Sequence, residues 1–312
     1  MAVSPPSIFN DVIGPVMRGA SSSHCAAALR IGRLARSMMG GRIDKVQLQL
    51  ERRGALATTF DTQGSDMGLY GGLLGWDLTD ERLLNFKQAM EDSGIDLQIK
   101  ICDFPALSPN IYKLRLENSD DVHELTADST GGGMIEVLEV NGVPMSLAGD
   151  CHETLIFVDG DGRAIAQELA DAHLDHEVRL HDDGRLIELR GHHFLSPDEQ
   201  GQWRKKIAVR SWLELDQVLP VAWQRDLQLP FQTCEEMLAF NEGKELSLWE
   251  LAVAYESARG GLSGEEVFAR MREIVLLLQG AEERLHMLLL RAANLFQYGC
   301  SKGIYAQIEQ MC

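Results

Sequence analysis

The 312-residue sequence predicts an α/β (α+β) protein with a mixed-sheet domain over residues 1–150, a smaller βαββαβ domain over 151–220 and a helical segment over 231–312. Three observations carry this. Val46, Leu48 and Leu50 alternate with Gln47, Gln49 and Glu51, the period of a half-buried strand, directly after an Ala-rich apolar run at 26–39. Asn141-Gly142 separates two alternating stretches and is the strongest short-range hairpin signal. Past residue 230, Thr233-x-x-Glu236, Ser247-x-x-Glu250 and Ser263-x-x-Glu266 are three capping boxes in succession, each ahead of a helix-period run.

Composition narrows the function classes. A formal net charge of -18 excludes nucleic acid and anionic membrane surfaces as partners, because both demand clustered Lys and Arg. The longest apolar runs, such as 274–278, fall far short of the roughly 20 residues of a membrane span. Cys25, Cys102, Cys151, Cys234, Cys300 and Cys312 are scattered, without a Cys-x-x-Cys pair or a secretory leader, so they read as reduced thiols of a cytoplasmic protein.

In chain order, the spacing predicts a helix at 26–39, a strand at 46–51, a small-residue loop at 54–66, a helix at 67–75 and a surface helix at 80–93 closed by Gly94. Strands follow at 97–101, 112–117, 122–127, 134–140 and 143–147. The next stretch reads strand 154–158, helix 163–173, strands 176–181 and 185–190, helix 197–206 and strand 207–215, the order of a ferredoxin-like sandwich. Ser196-Pro197-Asp198-Glu199 starts its second helix with a capping box and a first-turn proline. His176, His181, His192 and His193 read as surface residues of this small sheet, and no metal site is expected. Residues 220–230 read as a linker. The face of Leu285, Leu288, Leu289, Ala292, Leu295 and Phe296 demands a partner, a second copy or another chain.

Chemistry concentrates at Gly19-Ala20-Ser21-Ser22-Ser23-His24, just ahead of the first helix. Hydroxyls and backbone N–H groups at the positive end of a helix either cap it or hold a small carboxylate or phosphate. Ser129-Thr130-Gly131-Gly132-Gly133 either lets the backbone approach a ligand or bends the chain.

The stretch from Ser7-Ile8-Phe9-Asn10-Asp11-Val12 through Ile13-Gly14-Pro15-Val16-Met17, the run Ser21-Ser22-Ser23-His24 and Arg30-Ile31-Gly32-Arg33 resemble the β domain of iron–sulfur-dependent L-serine dehydratases. The resemblance implies an ACT-type regulatory domain at 151–220 and, at 231–284, the start of the family's α domain. It places a substrate site for L-serine, or a related amino or hydroxy acid, on Ser21, Ser22, Ser23, Gln63, Gly64, Ser65, Asp66, Ser129, Gly131, Gly132 and Gly133, with His24 as the catalytic candidate. Where the family has Gly-His-Gly-Thr-Asp, this chain has Thr62-Gln63-Gly64-Ser65-Asp66, so an imidazole is replaced by an amide that carries no proton at neutral pH. Cys25 stands where the family usually has Thr.

The family's reaction, L-serine to pyruvate and ammonia, uses a 4Fe–4S cluster held by cysteines deep in its α domain. The resemblance therefore implies a cluster on a separate α chain and none on this chain alone. The ending Gln310-Met311-Cys312 is either like that of family members whose last Cys reaches the cluster, or a thiol without a role. The resulting expectation is a component of an L-serine ammonia-lyase, in a homo-oligomer or with an α chain. The alternative is a non-catalytic regulatory protein that binds an amino or hydroxy acid.

Overall fold

A computed structural model describes residues 5–13, 17, 20–225 and 227–297, with side chains through residue 280. The chain forms two units, residues 8–225 and residues 1–7 with 226–312.

In the first unit, α1 (Ser22–Met38) lies over a six-stranded sheet built from β1 (Lys45–Glu51), β2 (Asp96–Cys102), β3 (Ile111–Glu117), β4 (Val122–Gly131), β5 (Met134–Val140) and β6 (Val143–Leu147). The order is β2-β1-β3-β4-β5-β6; β1 and β2 are parallel and the remaining pairs antiparallel, so the sheet is mixed. Alternation works as its period requires: Val46, Leu48 and Leu50 are buried while Gln47, Gln49 and Glu51 stay half exposed. Asn141 and Gly142 have φ of 49° and 82°, which fits the predicted tight hairpin.

Three expectations change. The first helix begins at Ser22 rather than at 26. The stretch read as a loop at 54–66 contains α2 (Leu56–Thr59) and the start of α3 (Ser65–Leu73), and the surface helix at 80–93 divides into a 3-10 segment (Glu81–Asn85) and α4 (Phe86–Asp92). Within α3 the glycines serve helix contact. A Cβ on Gly68 would stand 2.1 Å from the Cys25 carbonyl oxygen, and one on Gly72 would stand 2.1 Å from that of Leu29. Matching Gly68 to Cys25 and Gly72 to Leu29 makes α1 and α3 parallel, backbone against backbone, with their N-termini at the same end.

The second sheet takes β7 (His152–Val158), β8 (Glu177–His181), β9 (Leu186–Gly191) and β10 (Val209–Leu215) in the antiparallel order β10-β7-β9-β8, with α5 (Arg163–Ala172) and α6 (Pro197–Lys206) between strands. The predicted cap of α6 forms: Ser196 N–H donates to Glu199 Oε2 at 2.8 Å and Glu199 N–H to Ser196 Oγ at 3.4 Å. Ile156, Ile187 and Leu189 face Leu169 and Trp203 of the helices, while Leu155, Phe157, Leu186, Leu213 and Leu215 join the core beneath α1 and the first sheet. Residues 220–225, read as linker, are held in place: Val221 N–H donates to Asn10 Oδ1 at 3.0 Å, Asn10 Nδ2 donates to the Val221 carbonyl at 2.8 Å, and Trp223 N–H donates to the Asp150 carbonyl at 2.7 Å.

Buried charge also gathers on this sheet. Arg190 Nε donates to Glu153 Oε1 at 3.0 Å and Nη2 to Asp150 Oδ1 at 3.1 Å, with Trp223 stacked on the guanidinium. His181 Nε2 meets Glu188 Oε2 at 2.5 Å, and Arg179 Nη1 lies 3.5 Å from Glu188 Oε1. Glu153 Oε2 and Glu188 Oε1 are buried without a regular hydrogen bond. The predicted surface histidines divide: His176 is buried, its Nε2 2.9 Å from the His193 carbonyl, and His193 is exposed.

In the second unit, α7 (Cys234–Asn241), α8 (Leu248–Gly260) and α9 (Gly264–Gln297) follow one another. All three predicted capping glutamates accept from the backbone N–H of their cap residue: Thr233 at 3.2 Å, Ser247 at 2.8 Å and Ser263 at 2.8 Å. Residues 5–7 are bound to α8 by Tyr255 Oη to the Pro6 carbonyl, Arg259 Nε to the Pro5 carbonyl and Ser7 Oγ to Glu256 Oε1. Side chains of the apolar face at 285–296, together with Cys300 and Cys312, lie outside the described residues.

Gly68→Ala and Gly72→Ala each push a methyl into backbone and are expected to lower stability by about 1–3 kcal/mol or more. Gly71→Ala meets side-chain ends, Leu83 Cδ2 and at 3.5 Å Leu29 Cδ1, rather than backbone, and gains up to about 1 kcal/mol of helix propensity, so it costs less. Urea unfolding of the three variants checks that ranking. A second expectation concerns Glu153, whose carboxyl is pushed up to about 8 by burial and by Glu188, against the pull of Arg190. With the folded value above the ordinary 4.5, the native state holds the proton more tightly, so stability falls as pH rises from about 4.5 to 8. Glu153→Gln should therefore gain stability over the parent at pH 8.5, on the order of a few kcal/mol at most, and gain less at pH 5. Unfolding midpoints at the two pH values are the measurement; an equal difference at both would remove the effect.

Candidate functional site

The parallel contact of α1 and α3 sets two helix N-termini side by side. Ser21, in extended conformation ahead of α1, donates its backbone N–H to the Gln63 carbonyl at 3.1 Å, tying one helix start to the other. Its hydroxyl does not cap α1; Oγ pairs with His24 Nδ1 at 2.8 Å. Among the described residues the N–H groups of Ser22, Ser23 and His24 meet no acceptor, as expected for a first helical turn. Both helices direct the positive end of their dipole to this place. Ser22 is exposed, and Ser21, Ser23, His24 and Gln63 are half-buried.

Beneath them the groups are buried. Gly64 precedes α3 with φ of 80°, and Ser65 and Asp66 form the first turn. Asp66 Oδ1 accepts the Met67 N–H at 2.8 Å, and Lys87 Nζ lies 3.7 Å from Oδ2. Burial raises the Asp66 carboxyl above the usual range, against the pull of the Met67 N–H and Lys87. Ser65 Oγ is buried alongside the hydroxyl of Tyr112 on β3, and neither oxygen has a regular hydrogen bond. Burial pushes the Tyr112 phenol upward despite Ser65, with Cys25 and Asp66 adding to the rise. It therefore stays protonated, able to donate.

The glycine turn arrives from the sheet side. Gly131, Gly132 and Gly133 join β4 to β5 with φ of 104°, 61° and 81°, a backbone that side chains with a Cβ rarely adopt. A Cβ on Gly133 would stand 3.1 Å from the Ala26 Cβ, one helical turn below Ser22, while Gly131 and Gly132 face open space. The Gly133 carbonyl accepts from Arg30 Nη1. Ser129 is separate: its N–H donates to the Asn110 carbonyl at 3.2 Å, and its own carbonyl accepts from Asn110 Nδ2. Ser21 to His24, Gln63 to Asp66 and the turn at Gly133 thus meet on the first two turns of α1, with Ser129 set back in β4. Tyr112 and Arg30 were missed from sequence. Tyr112 sits in an alternating strand where any aromatic fits, whereas a lone arginine inside the Ala-rich run was a readable signal for Arg30.

The arrangement can bind a small anion. Among the described residues no three metal-ligating side chains converge; Cys25 and Cys151 are buried, Cys102 lies on β2 and Cys234 is exposed on α7. No helix among the described residues is long and apolar enough to cross a membrane.

No protein-family model matches the chain. Two curated relatives do. One, named a probable L-serine dehydratase beta chain, from Bacillus subtilis (strain 168), is 40% identical over 155 residues, which is 50% of this chain and 69% of that protein. The other, an L-serine dehydratase beta chain from Peptoniphilus asaccharolyticus, is 29% identical over 148 residues, 47% of this chain and 66% of the relative. With more than two thirds of the Bacillus protein matched at that identity, the chain belongs to the L-serine dehydratase beta-chain family.

Proposed function

We propose that the chain is the β component of a cytoplasmic L-serine ammonia-lyase, with the 4Fe–4S cluster carried by a separate α chain. In this reading residues 1–150 hold substrate, 151–220 form an ACT-type regulatory domain and 231–312 correspond to the start of the family's α domain. The observation that carries it is the Ser21–Gln63 bond, which joins two parallel helix starts so that the free N–H groups of Ser22, Ser23 and His24 are available to one carboxylate. The hydroxyls of Ser22 and Ser23 add donors, and Asp66 offers a counter-charge to an α-ammonium. The turn at Gly131 and Gly132 admits a ligand that a Cβ would crowd.

His24 is the chain's own proton-handling candidate: with Nδ1 engaged by Ser21 Oγ, Nε2 is the nitrogen left for a ligand. Gln63 holds position through its carbonyl and carries no proton. The β10-β7-β9-β8 order with two helices on one face supports the ferredoxin-like, ACT-type assignment. The same domain, together with Gln63 in place of a family histidine, favours a second reading, a regulatory binder of amino or hydroxy acids without turnover.

Calorimetric titration with L-serine tests the site. Ser23→Ala is expected to weaken binding by the loss of one hydrogen bond to a charged group, about 1.5–3 kcal/mol, or on the order of 10- to 100-fold in Kd. Asp66→Asn is expected to weaken L-serine more than acetate, which has no ammonium. Unchanged affinity in both variants would leave Ser21 to Ser23 as helix-start residues only. Pyruvate formation separates the two readings: the chain with a cluster-loaded α partner turns over L-serine under the first and does not under the second. Under both readings, the chain alone should remain colourless and inactive after anaerobic iron and sulfide treatment; a broad absorption near 400 nm accompanied by pyruvate would contradict this.

A further inference from the structure

The geometry points to a second ligand site, for a small carboxylic acid, in the cavity where α1 meets the turn after α3 and the chain after β10. The cavity holds about 300 Å³, and its wall includes Leu29, Arg30, Arg33, Asp77, Thr79 and Gln217. All of these lie in one unit and are distinct from Ser21 to Ser23, Arg30 being tied to the turn of that site through the Gly133 carbonyl.

The case rests on Arg30. It is 2% exposed, yet among the described residues no carboxylate lies within ion-pair distance, and its guanidinium hydrogen-bonds only the Gly133 carbonyl. One acceptor leaves most of the five guanidinium N–H donors unused, and a neutral carbonyl does not balance the charge. Arg33, one turn along, adds a like charge, and burial together with Arg33 lowers the Arg30 guanidinium to about 10, still cationic at neutral pH. Buried arginines are ordinarily paired; Arg190 in the same unit shows the usual solution, with Asp150 and Glu153 against it. Among the described residues Arg30 has no such partner and instead borders the cavity.

The size and charge of the wall select the ligand class. A planar carboxylate accepts two parallel N–H bonds from a guanidinium. Arg33 is already paired with Asp77, so one net positive charge remains for the occupant. That suits a monoanion, or a zwitterion whose ammonium turns to Asp77, and disfavours a phosphate dianion. Thr79 and Gln217 supply uncharged hydrogen-bonding groups at the rim.

Titration of the full chain with acetate, L-serine and inorganic phosphate, followed by calorimetry and by the side-chain Nε–H resonance of Arg30, tests the site. The expected result is saturable binding of acetate or L-serine that shifts the Arg30 resonance and is weakened at least tenfold in Arg30→Met and in Thr79→Phe. Thr79→Phe fills the cavity without touching the buried charge, so it remains informative if Arg30→Met disturbs the Gly133 turn. Saturable binding with an unmoved Arg30 resonance, equal affinity in Thr79→Phe and the parent, or tighter binding of phosphate than of either carboxylate would overturn the inference. Binding lost only in Ser23→Ala and Asp66→Asn would overturn it too, while leaving the proposed substrate site standing; the reverse pattern would support the cavity and count against that site.

Discussion

The first unit depends on a contact that no side chain makes. Where Gly68 and Gly72 lie on the carbonyls of Cys25 and Leu29, α1 and α3 touch along their backbones. A single methyl on either glycine would separate the helices and move the start of α3 away from Ser21. The parallel direction follows from the same pairing, and it has an electrostatic consequence. Two positive helix ends side by side repel, each terminus interacting with nearby charge at about 0.3–1 kcal/mol. Asp66 in the first turn of α3 offsets part of this, but burial works against its ionisation. An anion held by Ser22 and Ser23 would offset the rest, so on the proposed reading packing geometry and ligand preference have one origin.

Two buried arginines show the fold handling charge in opposite ways. Arg190 lies among more carboxylate than it can neutralise: Asp150 and Glu153 are bonded to it, Glu177 and Glu188 lie within 3.8 Å, and two carboxylate oxygens of the cluster lack a regular hydrogen bond. Excess negative charge is absorbed there by raising the Glu153 carboxyl. Arg30 lies at the other extreme, with a carbonyl and a like charge as neighbours. A carboxylate in low dielectric can escape its charge by taking a proton near neutral pH, but a guanidinium cannot. The two clusters are therefore not equivalent: one is rich in carboxylate and sensitive to pH, while the other has no carboxylate partner among the described residues.

Much of the strand pattern was legible in the sequence because it follows from a two-residue period: β1, β5 and β6 appear where the alternation of Val46, Leu48 and Leu50, or the Asn141-Gly142 turn, puts them. The caps of α6 and α7 to α9 were legible because Ser or Thr with Glu three residues on describes a local bond that needs no tertiary partner. Failures came where tertiary contact overrode local preference. Gly54, Ala55, Ala57 and Gly64 read as loop because small residues are poor witnesses to helix, yet the chain is helical at 56–59 and from 65 on. Residues 220–225 read as linker until Asn10, some 210 positions earlier, bonds both polar atoms of the Val221 backbone. Ser21 to Ser23 were singled out by their position before an apolar run, which the structure shows as the start of α1. Tyr112 was not, since nothing in a strand shows which aromatic has its hydroxyl buried against a serine.

On the resemblance that sets a histidine of the family at the position of Gln63, the replacement changes what the proposed site can do more than where it lies. The bond that organises the site uses the Gln63 backbone carbonyl, and any residue in that conformation supplies one. Binding geometry therefore survives the substitution, while a titratable group is lost. Of the remaining groups near the helix starts, Tyr112 is held protonated by burial and Asp66 is raised but committed to the Met67 N–H. His24 alone has an imidazole, and its Nδ1 is already engaged by Ser21. On the proposed reading, proton transfer by this chain falls to a single nitrogen of a single residue, whereas carboxylate binding is spread over three backbone N–H groups and two hydroxyls. An arrangement so divided tolerates the loss of one donor in binding far better than the loss of His24 in turnover, and this places the proposed β component's main contribution in holding its ligand.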